Sequence, residues 1–522
     1  MSQSESWKPA SNAWLVAMAV TLAVFMEILD TTIVNVALPH VAGTLSSSYS
    51  ESTWVLTSYL VANGIVLPLS AFLCRVFGRK QFFMICIVMF TISSFLCGIA
   101  TELWQIILFR IMQGFFGGGL QPVQQSVLLD YFKPEDRGKA FGLSSIAIIV
   151  APIIGPTLGG WITDNYSWRW VFLINIPVGI LTVLAIYHLL EDPPWERKWA
   201  KSKLRIDYIG ISLITLGLGC LQVMLDRGED DDWFSSGFIQ LFAVLTAIGL
   251  IGAIYWLMYA KKPVVDIRCL KDRNFAVSSL LMAGMAMILY GSSVVLPQLA
   301  QQDLGYTATW SGLVLSPGAI LVVMTIPLVL KLMPLVQTRW IIAFGFTLLC
   351  LSMFYSMRLT PNVDFTSLAM MRSAQSIGLG FLFVPLTTIA FISIPQRLNG
   401  DAAALFTMFR NVAGSIGISL STAAITDRSQ VRHATMAHNM TPLNEQFTLT
   451  VERWAQAIRD FTSAVGDPVT LATGKLYQEM VAQSRILAYI DVFMGLGIVA
   501  LIMIPFCLLL SPIKSEGSAG AH

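Results

Sequence analysis

Residues 110–121 read Arg110-Ile111-Met112-Gln113-Gly114-Phe115-Phe116-Gly117-Gly118-Gly119-Leu120-Gln121, and residues 372–383 read Arg372-Ser373-Ala374-Gln375-Ser376-Ile377-Gly378-Leu379-Gly380-Phe381-Leu382-Phe383. At an offset of 262, Arg110 meets Arg372, Gln113 meets Gln375 and Gly118 meets Gly380. Carried on without gaps to residues 155 and 417, the pairing brings Gly138 onto Gly400, Ala151 onto Ala413 and Gly155 onto Gly417. Eleven of the 46 pairs are identical. Shorter echoes occur upstream: Thr31-Thr32-Ile33-Val34 against Ser292-Ser293-Val294-Val295, and Thr53-Trp54 against Thr309-Trp310. Self-similarity at this distance marks two copies of one structural unit.

The surroundings of the repeat say what the unit is made of. Of 522 residues, 55% are apolar and only 12% are charged, about half the usual charge of a soluble chain. So little charge cannot cover a water-facing surface, which excludes ordinary soluble domains as well as disordered, collagen-like and disulfide-rich classes. Crossing the hydrocarbon takes about 20 mostly apolar residues. Fourteen such runs are predicted, over 14–38, 54–74, 82–100, 104–128, 139–163, 169–190, 207–225, 237–259, 275–298, 310–332, 340–357, 365–392, 402–426 and 487–511. The first is too long for a cleaved leader and carries two acids, so it is kept as a span. Spans one to six resemble spans nine to fourteen. The predicted fold is therefore all-α and of the major facilitator type, two six-helix bundles with two helices inserted between them. The halves are expected at 1–190 and 274–522, with the insert at 191–273 and a long loop at about 427–486.

Orientation follows from Lys and Arg. With the N-terminus inside, 21 basic residues fall on cytoplasmic pieces and 3, Arg169, Arg227 and Arg358, on short outside loops. The inside set is Lys8, Arg75, Arg79, Lys80, Lys133, Arg137, Lys139, Arg197, Lys198, Lys201, Lys203, Arg205, Lys261, Lys262, Arg268, Lys271, Arg273, Lys331, Arg339, Arg397 and Lys514. Both termini are thus expected in the cytoplasm. Trp54, Trp104, Trp161, Trp168, Trp170 and Trp310 are expected to form an outer interfacial belt. The acidic stretch Asp226–Asp232 reads as a solvated loop. In the long outer loop, Trp454, Ile458 and Phe461 have the spacing of an amphipathic helix.

An ionisable group inside a span is costly and points to function. Glu27 and Asp30 lie well inside the first span, three residues apart and so on one helix face. A carboxyl group there is neutral when protonated and charged when free, so it can exchange a proton for a cationic or polar substrate. The plainer reading is a structural ion pair with another span. Gly291 stands in the second half where Asp30 stands in the first. Arg110, followed by Gln113 and Gly114, needs a partner or water. It is expected either to hold Asp30 in one state and release it in another, or to form a fixed pair. Arg372 is its counterpart, and Arg410, opposite Ile148, has none.

Gly142, Ala151, Gly155, Pro156, Gly159 and Gly160 punctuate the fifth span. Residues 151, 155 and 159 form a small-residue line for close helix contact, and Pro156 invites a bend. The turn Arg75-Val76-Phe77-Gly78-Arg79-Lys80 reads as a positive anchor rather than a gating salt bridge. The seven cysteines are expected to be free core residues. No phosphate-binding lysine loop, metal-ligand spacing or catalytic constellation is readable, so no ATP drive, metal, cofactor or enzymatic reaction is expected. Nothing points to nucleic acid.

Several of these stretches resemble one family. Leu29-Asp30-Thr31-Thr32-Ile33-Val34-Asn35-Val36-Ala37-Leu38-Pro39 is similar to the first-span motif of the 14-span drug:proton antiporters. Phe109-Arg110 with Gln113-Gly114, Gly142 with Gly155-Pro156 and Gly159-Gly160, and Trp168-Arg169-Trp170 with Asn175 and Pro177 look like further motifs of that family. Leu225-Asp226-Arg227-Gly228, Asp232-Trp233-Phe234-Ser235-Ser236, Gly305-Tyr306-Thr307-Ala308-Thr309-Trp310 and Ala413-Gly414-Ser415-Ile416-Gly417 resemble its EmrB branch. The resemblance covers essentially the whole chain. It implies a multi-pass pump of the bacterial inner membrane that exports amphipathic drugs and toxins. It implies drive by the proton gradient, a periplasmic adaptor of the EmrA type and an outer-membrane duct of the TolC type. Asp30 would be the protonation site, Arg110 its electrostatic partner, and Gly155-Pro156 the motif associated with export. Two positions depart from the wider pattern: Arg75 replaces an acid and Ala71 a glycine, so the salt bridge usual to that turn is not expected. Glu27 lies outside the family motif. A narrower cargo (fatty acids, bile-salt-like amphiphiles or a siderophore) and a non-transporting receptor or scaffold remain alternatives, though a scaffold gains nothing from buried charge.

Overall fold

The computed structural model describes residues 11–193, 206–260, 263–461 and 467–512. Lys8, Arg197, Lys198, Lys201, Lys203, Arg205, Lys261, Lys262 and Lys514 of the expected cytoplasmic set lie outside the described residues, as do both chain ends and the side chain of Arg397.

All regular structure among the described residues is helical. The first group is α1 (Ala13–Thr44), α2 (Trp54–Phe77), α3 (Arg79–Ile99), α4 (Leu103–Gly117), α5 (Leu120–Tyr131), α6 (Pro134–Asn165) and α7 (Trp170–Leu189). The insert is α8 (Tyr208–Arg227) and α9 (Gly237–Tyr259). There follow α10 (Arg273–Gln298), α11 (Ala308–Leu332), α12 (Thr338–Ser356), α13 (Phe365–Ala390), α14 (Asn399–Ala437), α15 (Glu445–Phe461) and α16 (Pro468–Phe506).

Thirteen described helices are long and apolar enough to cross a membrane. The remaining expected span, 104–128, is broken into α4 and α5 at Gly118 and Gly119. Three consecutive glycines, 117–119, favour helix poorly, and Pro122 suits the first turn of a new helix. Close packing fixes the break, because a Cβ on Gly114 or Gly118 would run into the backbone of α2 at Tyr59 or Asn63.

The repeat reappears in the packing. α1 lies on α6 and α7, α4 on α2 and α3, and α3 on α7. In the second group α10 lies on α14 and α16, α13 on α11 and α12, and α12 on α16. Across the groups, α11 lies along α6, while α14 crosses α2 and α5. The insert packs through α8 on α9 and α2. Gly217 and Gly249 bring the backbones of α8 and α9 into contact. α9 buries only a seam of Ile239, Thr246, Gly249, Ala253 and Leu257, and presents Leu241, Val244, Ile248 and Ile251 outward. This outward apolar face is where the excess hydrophobicity of the composition goes.

Three expectations change. α14 and α16 run 39 residues each, far beyond the roughly 20 that span hydrocarbon. With α15 they make the 427–486 stretch largely helical. Val451, Ala455 and Ala472 form a small core of their own, with Trp454 and Ile458 against it; the side chain of Phe461 lies outside the described residues. The acidic stretch is not simply solvated. Asp226 is half-buried and accepts from the Thr57 hydroxyl, and Arg227 bonds Thr53 at 2.9 Å and Asp230 at 3.1 Å, tying the insert to α2. Burial pushes the Asp230 carboxyl above its ordinary value against the pull of Arg227. Finally, Trp168 is buried and donates to Thr44 at 3.2 Å, so it is core rather than belt. The seven cysteines are buried and free.

Candidate functional site

Asp30 sits in the middle of α1 and is wholly buried. Arg110 of α4 meets one carboxylate oxygen at 2.5 Å. Gln113, one turn on, donates to the other at 3.0 Å, and Asn175 at the start of α7 donates to it at 2.6 Å. Arg110 is held in turn by the Val55 carbonyl at 3.1 Å, by Gln113 at 2.8 Å and by the Tyr59 ring, 4.0 Å away. Ser94 completes the shell, accepting from Asn175 and donating to the Phe172 carbonyl. Five helices, α1, α2, α3, α4 and α7, thus contribute to this shell, and the carboxylate itself accepts three donors. Such a carboxylate is held tightly while charged, and its protonation leaves Arg110 without its counter-charge. The predicted Asp30, Arg110 and Gln113 are brought together. Asn175, Val55 and Ser94 were not singled out for this role; Asn175 alone was visible, inside the Trp168 to Pro177 stretch.

The second group repeats the guanidinium without the acid. Arg372 donates to Ser292 and Ser293, each at 3.0 Å, and to Gln375 at 3.3 Å. Ser292 and Ser293 follow Gly291, so hydroxyls take the place of a carboxylate.

Glu27 has its own set of donors and shares Tyr59 with Asp30's shell. It accepts from the Tyr59 hydroxyl at 3.2 Å, from Asn63 at 3.0 Å and from Gln121 of α5 at 2.5 Å. The carbonyl end of Gln121 accepts from Arg410 of α14. Glu27 and Arg410, distant in sequence, therefore share one neutral bridge across the two groups. It is the first rung of a ladder between α5 and α14. Thr407 donates to Gln125 at 3.1 Å, and Asn399 to Asp130 at 2.9 Å.

At the ladder's far end the turn between α2 and α3 behaves differently from expectation. Arg75 bonds Asp401 of α14 at 3.0 Å, so it is a partner in a salt bridge between the groups and not only an anchor. The polarity explains the surprise: the cation is on the turn and the acid on α14. Arg79 pairs with Asp130 at 2.5 Å, Lys80 donates to the Tyr187 carbonyl, and Gly78 turns the chain at φ +86°.

The glycine line of α6 faces two ways. Ala151 is buried, while Gly155 and Gly159 press on Thr32 and Ile33, just past Asp30. Gly142 and Gly160 face α11; a Cβ on Gly160 would stand 2.7 Å from the Ala308 backbone. Pro156 lies inside the helix. No cluster of metal-ligating side chains occurs among the described residues.

Two bundles of like packing around buried charges define a secondary transporter of the major facilitator class. Residues 20–418 match the Major Facilitator Superfamily. Multidrug export protein EmrB of Escherichia coli (strain K12) is 36% identical over 520 residues, 99% of each chain. Fatty acid resistance protein FarB of Neisseria gonorrhoeae is 34% identical over 513 residues, 98% of this chain and 99% of its own. The crystal structure of the human organic anion transporter MFSD10 shares the fold, with a TM-score of 0.59 at 10% identity over 95% of this chain and 99% of its own. The chain belongs to the major facilitator superfamily, among its EmrB-like drug exporters, and is a multi-pass membrane transporter and not an enzyme.

Proposed function

We propose that the protein exports amphipathic drugs and toxins across the bacterial inner membrane in exchange for protons, with both termini in the cytoplasm. No cofactor takes part. The halves at 1–190 and 274–522 move against each other, and the insert at 191–273 stays with them. Asp30 carries the proton. When it is charged, Arg110, Gln113 and Asn175 hold it; when it is protonated, Arg110 loses its counter-ion and the shell around α1, α4 and α7 relaxes. The Asp30 carboxylate with three donors from α4 and α7 is the observation that carries this reading. The similarity to EmrB supports amphipathic cargo, and the similarity to FarB keeps fatty acids among the candidates. A periplasmic adaptor of the EmrA type, engaging the helical 427–486 region, and a TolC-type duct complete the path.

The test is a toxin and dye panel in a pump-deleted host, with and without a co-expressed adaptor. Expression should lower accumulation of a lipophilic dye, and an uncoupler should abolish that effect. Unchanged accumulation, or efflux that survives the uncoupler, contradicts the proposal.

A further inference from the structure

The surplus lengths of α14 and α16 lie at one end of the molecule, because α15 joins the end of one to the start of the other. Between them is a groove of about 480 Å³, within the roughly 300–1,000 Å³ of small-molecule sites. Its floor is Met436 of α14, Met440 just past the helix end, Phe447 of α15, and Leu476 and Met480 of α16. Methionine is unbranched and polarizable, so a floor with three of them adapts to bodies of different shape. Met436 and Met440 are four residues apart, as are Leu476 and Met480, about one helical turn in each case. A docked helix is held by anchors spread over about two turns. The floor therefore suits a compact body better than a protein segment. Its shape is fixed from below and from one end. Val451, Ala455 and Ala472 pack α15 on α16, and Asn444 donates to the Asn439 carbonyl at 2.8 Å and accepts from the Gln446 N–H at 3.1 Å. Glu479 is the charged member of the lining, and it is exposed. The basic side chains of the neighbouring turns are engaged elsewhere. Lys475 lies over the Trp454 ring at 4.8 Å, Arg432 bonds Asp491 at 3.1 Å and Arg485 bonds Asp303 at 3.1 Å.

We infer that this groove is a second binding site, outside the membrane-spanning bundles, for a cationic amphiphile: the apolar body lies on the methionine floor and the positive head sits at Glu479. The inference rests on the export reading above. On that reading the groove stands on the side to which cargo is released. Met436 follows Arg410 on the same unbroken helix, about 26 residues and so roughly 39 Å further on. An amphiphile released at that end would otherwise return to the bilayer, and the groove offers it apolar contact outside the lipid. The Glu479 carboxylate sets the sign of the head group, favouring a cation and repelling an anion.

The test uses the full chain in lipid nanodiscs, labelled with carbon-13 at the methionine methyls and titrated with tetraphenylphosphonium or with uncharged triphenylphosphine oxide. Single Met→Leu substitutions assign the signals. Met324, 66% exposed on the membrane-spanning α11, reports ligand that merely enters the lipid. The phosphonium should shift Met436, Met440 and Met480 together, along one saturable curve that Met324 does not follow. Glu479→Gln should weaken phosphonium binding at these methyls about three- to fivefold, the effect of one partly exposed charge pair, and leave the phosphine oxide within about twofold. Glu479→Asp should restore the phosphonium affinity. Met440→Gln should weaken both ligands by a similar factor, since it removes floor and not charge. Groove methyls that move no more than Met324, or equal losses of both ligands in Glu479→Gln, overturn the inference. So does a groove that responds to a co-purified adaptor of the EmrA type and not to the phosphonium, which would make it a protein-docking surface. Binding here needs no gradient. Silent methyls with intact dye efflux would remove this site alone, and shifted methyls without proton-driven efflux would remove the antiport reading alone.

Discussion

Arg110 and Arg372 occupy equivalent places in two similarly packed groups of helices, each with a glutamine one turn on. In the first group the guanidinium meets the Asp30 carboxylate. In the second it meets the hydroxyls of Ser292 and Ser293. The two sites therefore respond to protons differently. The first offers a carboxylate that a proton can neutralise, while the second offers no acid. Two copies of one fold have kept the cation and its glutamine, and one alone has the acid. On the proposed antiport reading, proton exchange belongs to the first half, and the second is a fixed positive frame.

The largest expected break in this contrast is functional. Asp30→Asn should raise dye accumulation to that of cells without the pump, while Arg372→Met should keep most of the efflux, both at matched membrane levels. Equal losses would erase the distinction. Stability comes next. Arg110→Met strands a buried carboxylate and should cost about 3–5 kcal/mol, whereas Arg372→Met removes only hydrogen bonds and should cost about 1–2 kcal/mol. Thermal unfolding of the purified variants reads the gap. A smaller effect separates Gly114 from its counterpart Ser376. Gly114→Ala drives a methyl into the Tyr59 carbonyl of α2 and should cost about 1–3 kcal/mol. Ser376→Gly removes a hydroxyl without a hydrogen-bond partner and should cost less than about 1 kcal/mol. The smallest concerns the joint between the halves. Arg75 is 22% exposed, so its bridge to Asp401 should be worth about 1 kcal/mol. Asp401→Arg should weaken the closure of that end, read as faster labelling of a cysteine placed at Ala71, and the double swap with Arg75→Asp should restore it.

Much of this was legible in the chain. The apolar runs gave the spans, and the 262-residue offset gave the paired halves. Asp30 and Arg110 stood out because charge inside such runs is rare. The rest depended on three-dimensional pairing that carries no local signal. Gln121, Asn63 and Tyr59 are ordinary polar residues in helices, so their convergence on Glu27 could not be read from spacing. Arg75 and Asp401 are 326 residues apart, and the reversed polarity of their bridge hid it from motif reasoning. The broken fourth span looked continuous because its glycines are as apolar as its neighbours. The 427–486 stretch looked like a loop because polar helices that pack on each other lack a membrane signature.

The place of the proton is tested most directly by transport of an uncharged amphiphile by wild type and Asp30→Asn in proteoliposomes, with and without an imposed pH gradient. The wild type should move the compound uphill when the gradient is present. Asp30→Asn should still exchange labelled for unlabelled compound across the membrane but fail to accumulate it against a concentration difference. Uphill accumulation by Asp30→Asn at the wild-type rate would contradict the assignment of the proton to Asp30.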